Sequence, residues 1–256
     1  MAEAVVIAFA NQKGGVGKTT SAVNVAAALG AGGYRTLLVD LDPQGNASSG
    51  VGVNKKKLKN TSYEVVCGVC TAKEAILATE FKNLAVLPAN MNLAGAELEL
   101  ADADDRQNAV RRALAEVKTD YDFIIIDCPP ALGMLTVNAL TASDGVVIPM
   151  QCEYFALEGL SQLTMTIKRV KQRYNPDLTI TGILVTMHNG RLNLSVQVLE
   201  ELKRYYADKL FRTVITRSVR LSEAPSFGQP ILYYDKLSKS AQQYAEVAEE
   251  LVRRVR

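Results

Sequence analysis

A glycine-rich stretch at residues 11–20, NQKGGVGKTT, has the residue types that bind phosphate. It matches the phosphate-loop pattern G-x-x-x-x-G-K-[ST] except at the first position, where Gln12 replaces glycine. The three glycines that follow let backbone N–H groups turn toward phosphate oxygens, and the start of the next helix adds partial positive charge. Lys18 can reach the β- and γ-phosphates of a nucleotide, and Thr19 can offer its hydroxyl to Mg²⁺. The stretch therefore predicts a nucleoside-triphosphate site.

Acidic residues stand at the ends of two predicted strands. The run RTLLVDLD (35–42) ends in Asp40 and Asp42, and the run YDFIIIDCPP (121–130) carries Asp127. Ligands of open α/β sheets bind at the carboxyl ends of the strands. A carboxylate there can hold Mg²⁺ through water or position an attacking water. The pattern predicts that the phosphate loop and the acids form one hydrolytic site.

Short β-type apolar runs alternate with helical patterns along the chain. The continuous apolar run at 4–10 is typical of a parallel strand covered on both faces. Further strands are predicted at 35–42, 83–89, 121–130, 145–150, 178–187 and 211–215, and helices at 21–33, 105–118, 156–174, 193–206 and 238–255. This alternation predicts an α/β fold with a doubly wound, mostly parallel sheet and helices on both faces. We expect one domain over residues 1–256, with 42–62 as a mobile loop.

Composition indicates an ordinary globular protein, with 22% charged and 48% hydrophobic residues. We expect no leader and no membrane span, and the four cysteines lack a secreted spacing pattern, so a reducing cytoplasm is the expected location. The net charge is +2, but it is unevenly spread. Residues 1–160 carry 13 Lys and Arg against 18 Asp and Glu, whereas residues 161–256 carry 16 against 9. The resulting net charges, −5 for residues 1–160 and +7 for residues 161–256, indicate an acidic partner for the carboxy-terminal part, although solvated helix faces would give the same counts.

The lysine at position 13 makes KGGVGKTT a deviant Walker A signature, and here the sequence resembles the ParA/MinD family of P-loop ATPases. Within that family it looks most like the ParA/Soj chromosome- and plasmid-partition ATPases. The resemblance runs almost end to end through NQKGGVGKTT, LLVDLDPQGN (37–46), YDFIIIDCPP (121–130), QCEYFALEGL (151–160), GILVTM (182–187) and VRLSEAPSFGQPI (219–231). It implies an ATP hydrolase with ATP and Mg²⁺ as cofactors.

The resemblance also implies roles for single residues. Two subunits would sandwich two ATP molecules, with Lys13 of each subunit contacting the nucleotide opposite and Glu153 contacting its ribose. Asp42 would serve hydrolysis, Asp127 would hold a Mg²⁺-bound water, and Asp40 would be structural. A surface glutamate is the competing interpretation of Glu153. The implied nucleotide-binding set is Lys13, Gly14, Gly15, Val16, Gly17, Lys18, Thr19, Thr20, Glu153, Met187, Thr216, Arg217 and Ser218, and the implied metal set is Thr19, Asp42 and Asp127.

The adenine site departs from the family pattern. The family places the base between the region after VTM, which ends in Met187 here, and a loop usually written P-R-N. This chain has Thr216, Arg217 and Ser218 in that loop. Backbone groups rather than side chains would then read the base edge.

Partition ATPases bind DNA without sequence preference as ATP dimers, and the family's DNA-contacting arginines match Arg191 and Arg220. Arg217 could extend the same patch, together with Lys203, Arg204 and Arg212. Few aromatic residues interleave with these cations, so contacts to duplex phosphates are expected rather than stacking on single strands. The family's partner is a ParB-type centromere-binding protein. The implied location is the cytoplasm, on the nucleoid.

Two alternatives remain open from the sequence. A MinD-like membrane ATPase would end in a basic amphipathic helix, but the apolar stripe of the helix predicted at 238–255 is better explained by packing on the sheet. A metabolic or redox enzyme of the same fold would use Cys67 and Cys70 as half of a metal site, but no second pair with ligand spacing accompanies them.

Overall fold

A seven-stranded sheet forms the centre of the protein in a computed structural model that describes residues 3–101, 103–153 and 156–256. The strands are β1 (Val5–Phe9), β2 (Thr36–Asp40), β3 (Leu77–Ala78), β4 (Leu84–Leu87), β5 (Phe123–Asp127), β6 (Gly145–Gln151) and β7 (Thr179–Thr186). Their order across the sheet is β3-β4-β2-β5-β1-β6-β7. All neighbours pair in parallel except β3, a two-residue edge strand antiparallel to β4.

Helices cover both faces of this sheet. They are α1 (Lys18–Ala31), α2 (Asn46–Gly50), α3 (Ser62–Val66), α4 (Ala72–Ala75), α5 (Ala96–Glu99), α6 (Ala109–Ala115), α7 (Met134–Ala142), α8 (Ala156–Arg173), α9 (Asn193–Tyr206), α10 (Val219–Glu223), α11 (Ile231–Tyr234) and α12 (Lys239–Val255). One apolar cluster joins the sheet to α1, α11 and α12, and a second joins it to α6, α7, α8 and α9. The central strands are therefore apolar on both sides, which explains their uninterrupted hydrophobic runs. The predicted doubly wound α/β fold is confirmed.

The register of the parallel strands determines where in the sheet the candidate site lies. Phe9, the last residue of β1, pairs with Asp127 of β5, and Asp127 pairs on its other side with Asp40 of β2. Three adjacent parallel strands thus end at the same level. The phosphate loop leaves β1 at the level where Asp127 ends the adjacent strand β5 and Asp40 ends β2 beyond it, so the sheet brings the separate motifs together.

Two local predictions were wrong. Residues 211–215 do not form a strand: two isolated bridges, Ile183 to Leu210 and His188 to Thr216, flank the segment, and its own backbone bonds to the β7 region only at its two ends, Phe211 and Ile215. Residues 42–62, expected to be a mobile loop, contribute to the core instead, because α2 lies within them and its Ala47 is fully buried against the sheet.

The terminal helix α12 packs on α1, with Tyr244, Val247 and Leu251 buried. Its apolar stripe is thus core, as the sequence indicates. No helix in the described part of the chain is long and apolar enough to cross a membrane.

Candidate functional site

The loop between β1 and α1 has the backbone shape of a phosphate cradle. Gly15 and Gly17 have φ angles of 73° and 81°, in the left-handed region that favours glycine. Gly17 is also the residue before the first turn of α1, so the free N–H groups of that helix face the loop. A Cβ placed on Gly14 or Gly15 would meet no atom within 4 Å, so the space beside the loop is open. A polyphosphate fits there on chemical grounds, because the loop presents donors and no acidic side chain.

Neighbouring strands hold this loop in shape. The Thr186 hydroxyl at the end of β7 donates to the carbonyl of Val16 at 2.7 Å. The side-chain amide of Gln151, at the end of β6, donates to the carbonyl of Gly15 at 3.2 Å. The Asn11 amide donates to the carbonyl of Pro149 at 2.8 Å. Thr186 and Gln151 were not predicted as supports from the sequence, although they lie in the segments GILVTM (182–187) and QCEYFALEGL (151–160). Their bonds fix the cradle before any ligand arrives.

Lys18 lies in the mouth of the loop with only 6% of its surface exposed. Its ammonium donates to the carbonyl of Lys13 at 3.0 Å, which folds the side chain back over the cradle. Burial lowers the pKa of Lys18, while the nearby charges of Asp127 and Asp42 oppose that shift. A buried cation in this place favours a polyanionic ligand. Thr20, one residue into the helix from Thr19, accepts from the Asn24 amide through its carbonyl at 2.7 Å.

Asp127 is buried with both carboxylate oxygens lacking a hydrogen-bond partner among the described residues. Burial raises its pKa well above the ordinary value, and the charge of Asp40 adds to the shift. The Thr19 hydroxyl and the Lys18 ammonium nearby oppose it. Unused buried acceptors beside a threonine hydroxyl suit a hydrated divalent cation, which prefers oxygen ligands and neutralises the carboxylate. Asp127 and Thr19 are thus the residues that could hold Mg²⁺ or its water.

The two acids after β2 have different environments. Asp40 is fully buried and accepts from the backbone N–H of Asp42 at 3.1 Å and from the N–H and hydroxyl of Ser48 at 2.8 and 2.7 Å. Burial raises its pKa to about 6 despite these bonds. Asp40 therefore ties α2 to the sheet. Asp42 is 7% exposed and accepts from the N–H of Gln44 at 2.9 Å, which orients its carboxylate at the edge of the site.

Lys13 and Glu153 form an ion pair with each other on the outer lip of the loop. Their side chains are 41% and 52% exposed, so both are accessible from outside the subunit. Sequence reasoning assigned both to the nucleotide of a second subunit. The structure brings them together within one subunit, a contact that the sequence did not reveal because 140 residues separate them. Tyr154 and Phe155 of the same motif lie outside the described residues.

The predicted adenine residues gather at the carboxyl end of β7. Met187 has a φ of 49°, and its sulfur accepts from the Gln151 amide at 2.6 Å, close to the phosphate loop. Thr216 bridges to His188, and its N–H and hydroxyl both donate to the side chain of Gln243. Arg217 is exposed, and Ser218 precedes α10 without a side-chain bond to the helix start. Backbone and amide groups thus line this end.

The arginines assigned to DNA are exposed but differ in their partners. Arg191 lies in the turn before α9, and Arg217 lies before α10. Arg220 in α10 forms ion pairs with Glu223 at 3.0 Å and with Asp235 at 3.6 Å. The structure therefore places part of the predicted patch next to carboxylates, which the +7 charge count did not indicate.

The two-cysteine motif has no metal-site geometry. Burial, a bond to Glu99 and the charge of that residue raise the pKa of the Cys67 thiol to about 12. Over residues 3–101, 103–153 and 156–256, no group of three or more His, Cys, Asp or Glu side chains could hold a metal ion.

Comparison with known proteins defines the family. The AAA domain family matches residues 4–180. The chain is 54% identical to the sporulation initiation inhibitor protein Soj of Bacillus subtilis, over 96% of this chain and 97% of that protein. It is 51% identical to the chromosome partitioning protein ParA of Myxococcus xanthus, over 97% and 88%.

A solved structure named cobyrinic acid a,c-diamide synthase, from Mycobacterium smegmatis with bound ADP and magnesium, is 40% identical. The match covers 98% of this chain and 94% of that chain, with a TM-score of 0.86. High identity over nearly the whole length of several partition proteins, together with the deviant phosphate loop, gives one assignment: this chain belongs to the ParA/Soj family of chromosome-partitioning ATPases.

Proposed function

We propose that residues 1–256 act as one P-loop ATPase domain that partitions DNA, as a switch set by ATP. ATP binding would join two copies of the chain, the dimer would bind duplex DNA without sequence preference, and hydrolysis would release it. The observation that carries the proposal is Lys13, a second loop lysine whose side chain is exposed and paired with Glu153. A cation in that position can reach the phosphates of a facing subunit.

The chemistry assigns ATP to the cradle of Gly14 to Gly17 and Lys18, with Thr19 and Asp127 holding Mg²⁺ directly or through water. Bound Mg²⁺ would neutralise charge on the β- and γ-phosphates. Asp42, oriented by the Gln44 N–H, would position the attacking water. The Mycobacterium smegmatis structures, one with bound ADP and magnesium and one with a bound ATP analog and magnesium, support this assignment of ATP and Mg²⁺. Met187, Thr216, Arg217 and Ser218 would contact the base through their backbone.

Dimerisation would require Lys13 to exchange partners. In the single subunit Glu153 neutralises Lys13, whereas a facing nucleotide offers several phosphate charges in the same direction. The exposed ion pair is weak, of the order of 1 kcal/mol or less, so a triphosphate can replace it. Glu153 would then be free for the ribose opposite. Cations placed on the developing charge of a phosphoryl transfer contribute about 10³–10⁵ in rate.

DNA binding would rest on Arg191, Arg217 and Arg220, with the dimer doubling the number of cations. If each subunit makes about three phosphate contacts, the slope of log affinity against log salt is about −5, so one subunit alone binds far more weakly. A ParB-type partner would stimulate hydrolysis, and the protein would reside in the cytoplasm on the nucleoid, with no membrane partner. The names and identities of the Soj and ParA relatives support this function.

A mobility-shift assay on long duplex DNA at low salt tests the proposal. The wild-type protein should bind with ATP and not with ADP, and Arg191→Glu/Arg220→Glu should lose binding while keeping ATP affinity. Turnover should rise when DNA and a basic ParB-type peptide are added. ATP hydrolysis that is fast without DNA and unchanged by it would instead indicate an ordinary metabolic ATPase.

A further inference from the structure

A run of lysines at residues 55–59, KKKLK, forms a turn whose charges the proposed function leaves unused. We call these residues the lysine turn. Its first three residues form a single 3-10 turn, so their side chains point in three directions. Lys55 turns inward, and its ammonium donates to the carbonyl of Gln44 at 2.7 Å. Lys56 and Lys57 are exposed. No carboxylate of the described residues lies within 4.0 Å of either ammonium, so both charges face solvent.

The lysine turn lies against the segment that carries Arg220. Gly52 and Gly228 touch across this junction, since a Cβ on Gly228 would come within 2.8 Å of the Gly52 Cα. A cleft of about 530 Å³ is lined by both glycines and also by Lys57, Phe227 and Glu80. The turn and the segment are therefore parts of one surface.

Direct contacts extend this surface to Arg220. Phe227 is 65% exposed, and its ring stacks on Tyr234 with ring centres 5.2 Å apart. The Tyr234 hydroxyl donates to Glu223 at 3.2 Å, and Glu223 pairs with Arg220 at 3.0 Å. Each step joins residues at the surface. Arg220 and the lysine turn thus stand at the two ends of a continuous face.

The cations on this face differ in how strongly they can attract an anion from solution. Arg220 already has two carboxylate partners, Glu223 and Asp235, which weaken its attraction for a distant anion. Lys56 and Lys57 have none among the described residues. A polyanion that approaches the face is attracted first by these two lysines. Flexible ammonium groups act as point charges and impose no sequence preference, which suits a phosphate backbone.

We propose that Lys56 and Lys57 bind the phosphate backbone of duplex DNA, as an extension of the surface that carries Arg220. The inference rests on the proposed function, because it takes DNA as the partner. Lys55 is not part of the contact, since its amine holds the loop that follows Asp42 in place. The lysine turn would thus bring DNA next to the loop that follows Asp42, to which Lys55 is bonded.

The test compares two double variants of the full chain. Lys56→Gln/Lys57→Gln removes the proposed contacts, and Lys168→Gln/Arg169→Gln removes two exposed cations from α8, which packs on the opposite sheet face from α1 and Ile231. Both variants change the net charge by −2, so their general electrostatic effect is matched. Each is titrated with duplex DNA in the presence of ATP at several salt concentrations.

The lysine-turn variant should bind at least about tenfold more weakly near 0.1 M salt, with a salt slope reduced by about 1.8 for each subunit on the DNA. The control variant should bind with the wild-type slope, and both should keep wild-type ATP affinity. Equal slopes for the two variants would overturn the inference while leaving the proposed function intact. Loss of binding to phosphatidylglycerol vesicles without loss of DNA binding would also overturn it. Absence of DNA binding by the wild type would instead refute the proposed function.

Discussion

Replacement of Asp127 by asparagine should stabilise the nucleotide-free protein and abolish its stabilisation by nucleotide. The carboxylate is fully buried, its two oxygens lack partners among the described residues, and its pKa is raised well above the ordinary value by burial. A buried unsatisfied polar group costs about 1–3 kcal/mol, and more when it is charged. Asparagine keeps a buried polar group but removes the ionised one, so at a pH where Asp127 is charged the free energy of unfolding should rise by about 3 kcal/mol. For a chain of this size that corresponds to a rise in Tm of roughly 6–12 °C.

The raised pKa of Asp127 predicts how the stability difference between the wild type and Asp127→Asn changes with pH. Because the folded-state pKa of Asp127 is raised, its contribution to stability is present below the unfolded pKa and is lost as pH rises through the folded pKa. The advantage of Asp127→Asn should therefore be small in acid and grow toward pH 8. Asp40, with its pKa raised to about 6, adds a decline of the same sign between about pH 4 and 6 in both proteins.

Differential scanning fluorimetry between pH 5 and 8, with and without Mg²⁺ and ATP, measures both effects. At a ligand concentration of 100 Kd the wild type should gain about 2.7 kcal/mol and the variant little, so that the difference between the two Tm values narrows or reverses. Asp122→Asn is the control, since Arg35 lowers the pKa of Asp122 through a hydrogen bond and removal of this charge should destabilise the protein at neutral pH. A lower Tm for nucleotide-free Asp127→Asn at pH 8 would refute the reasoning.

Three further variants test other parts of the site. Lys13→Ala should still bind magnesium and ATP but sediment as a monomer and lose about 10³-fold in turnover, and normal dimerisation would contradict the proposed exchange of partners. Asp42→Ala should keep ATP-dependent DNA binding while turnover falls by at least about 100-fold, as a single-turnover assay would show. Gly228 has a φ of 64°, and a Cβ at this position would lie 2.8 Å from the Gly52 Cα. Gly228→Ala should therefore lower the free energy of unfolding by about 1–3 kcal/mol in a denaturant titration. An unchanged midpoint would show that the backbone relaxes around the new methyl group without cost.

Several features could be predicted from the sequence because they depend on local pattern. The glycines and Lys18 of the phosphate loop, the apolar run of β5 and the stripe of α12 each carry their signal within a few residues. The helix α7 lacked such a signal, since nearly all of its residues are apolar or small and no amphipathic stripe marks it. The segment 211–215 is the reverse case, in which a local pattern predicted an element that does not form. Its β-type residues predict a strand, but the segment meets β7 only at separate points and so forms no continuous ladder.

The sequence by itself determined the residue types of the site, the family and the doubly wound fold, because motif spacing and hydrophobic periodicity are properties of neighbouring residues. Only the tertiary structure decided which charges meet. The pairing of Lys13 with Glu153, the pairing of Arg220 with Asp235 and the lack of a partner for the Asp127 oxygens among the described residues depend on contacts between separate segments. Such contacts are fixed by how the strands register and the helices pack, and electrostatic energies change steeply with the distances and burial that result.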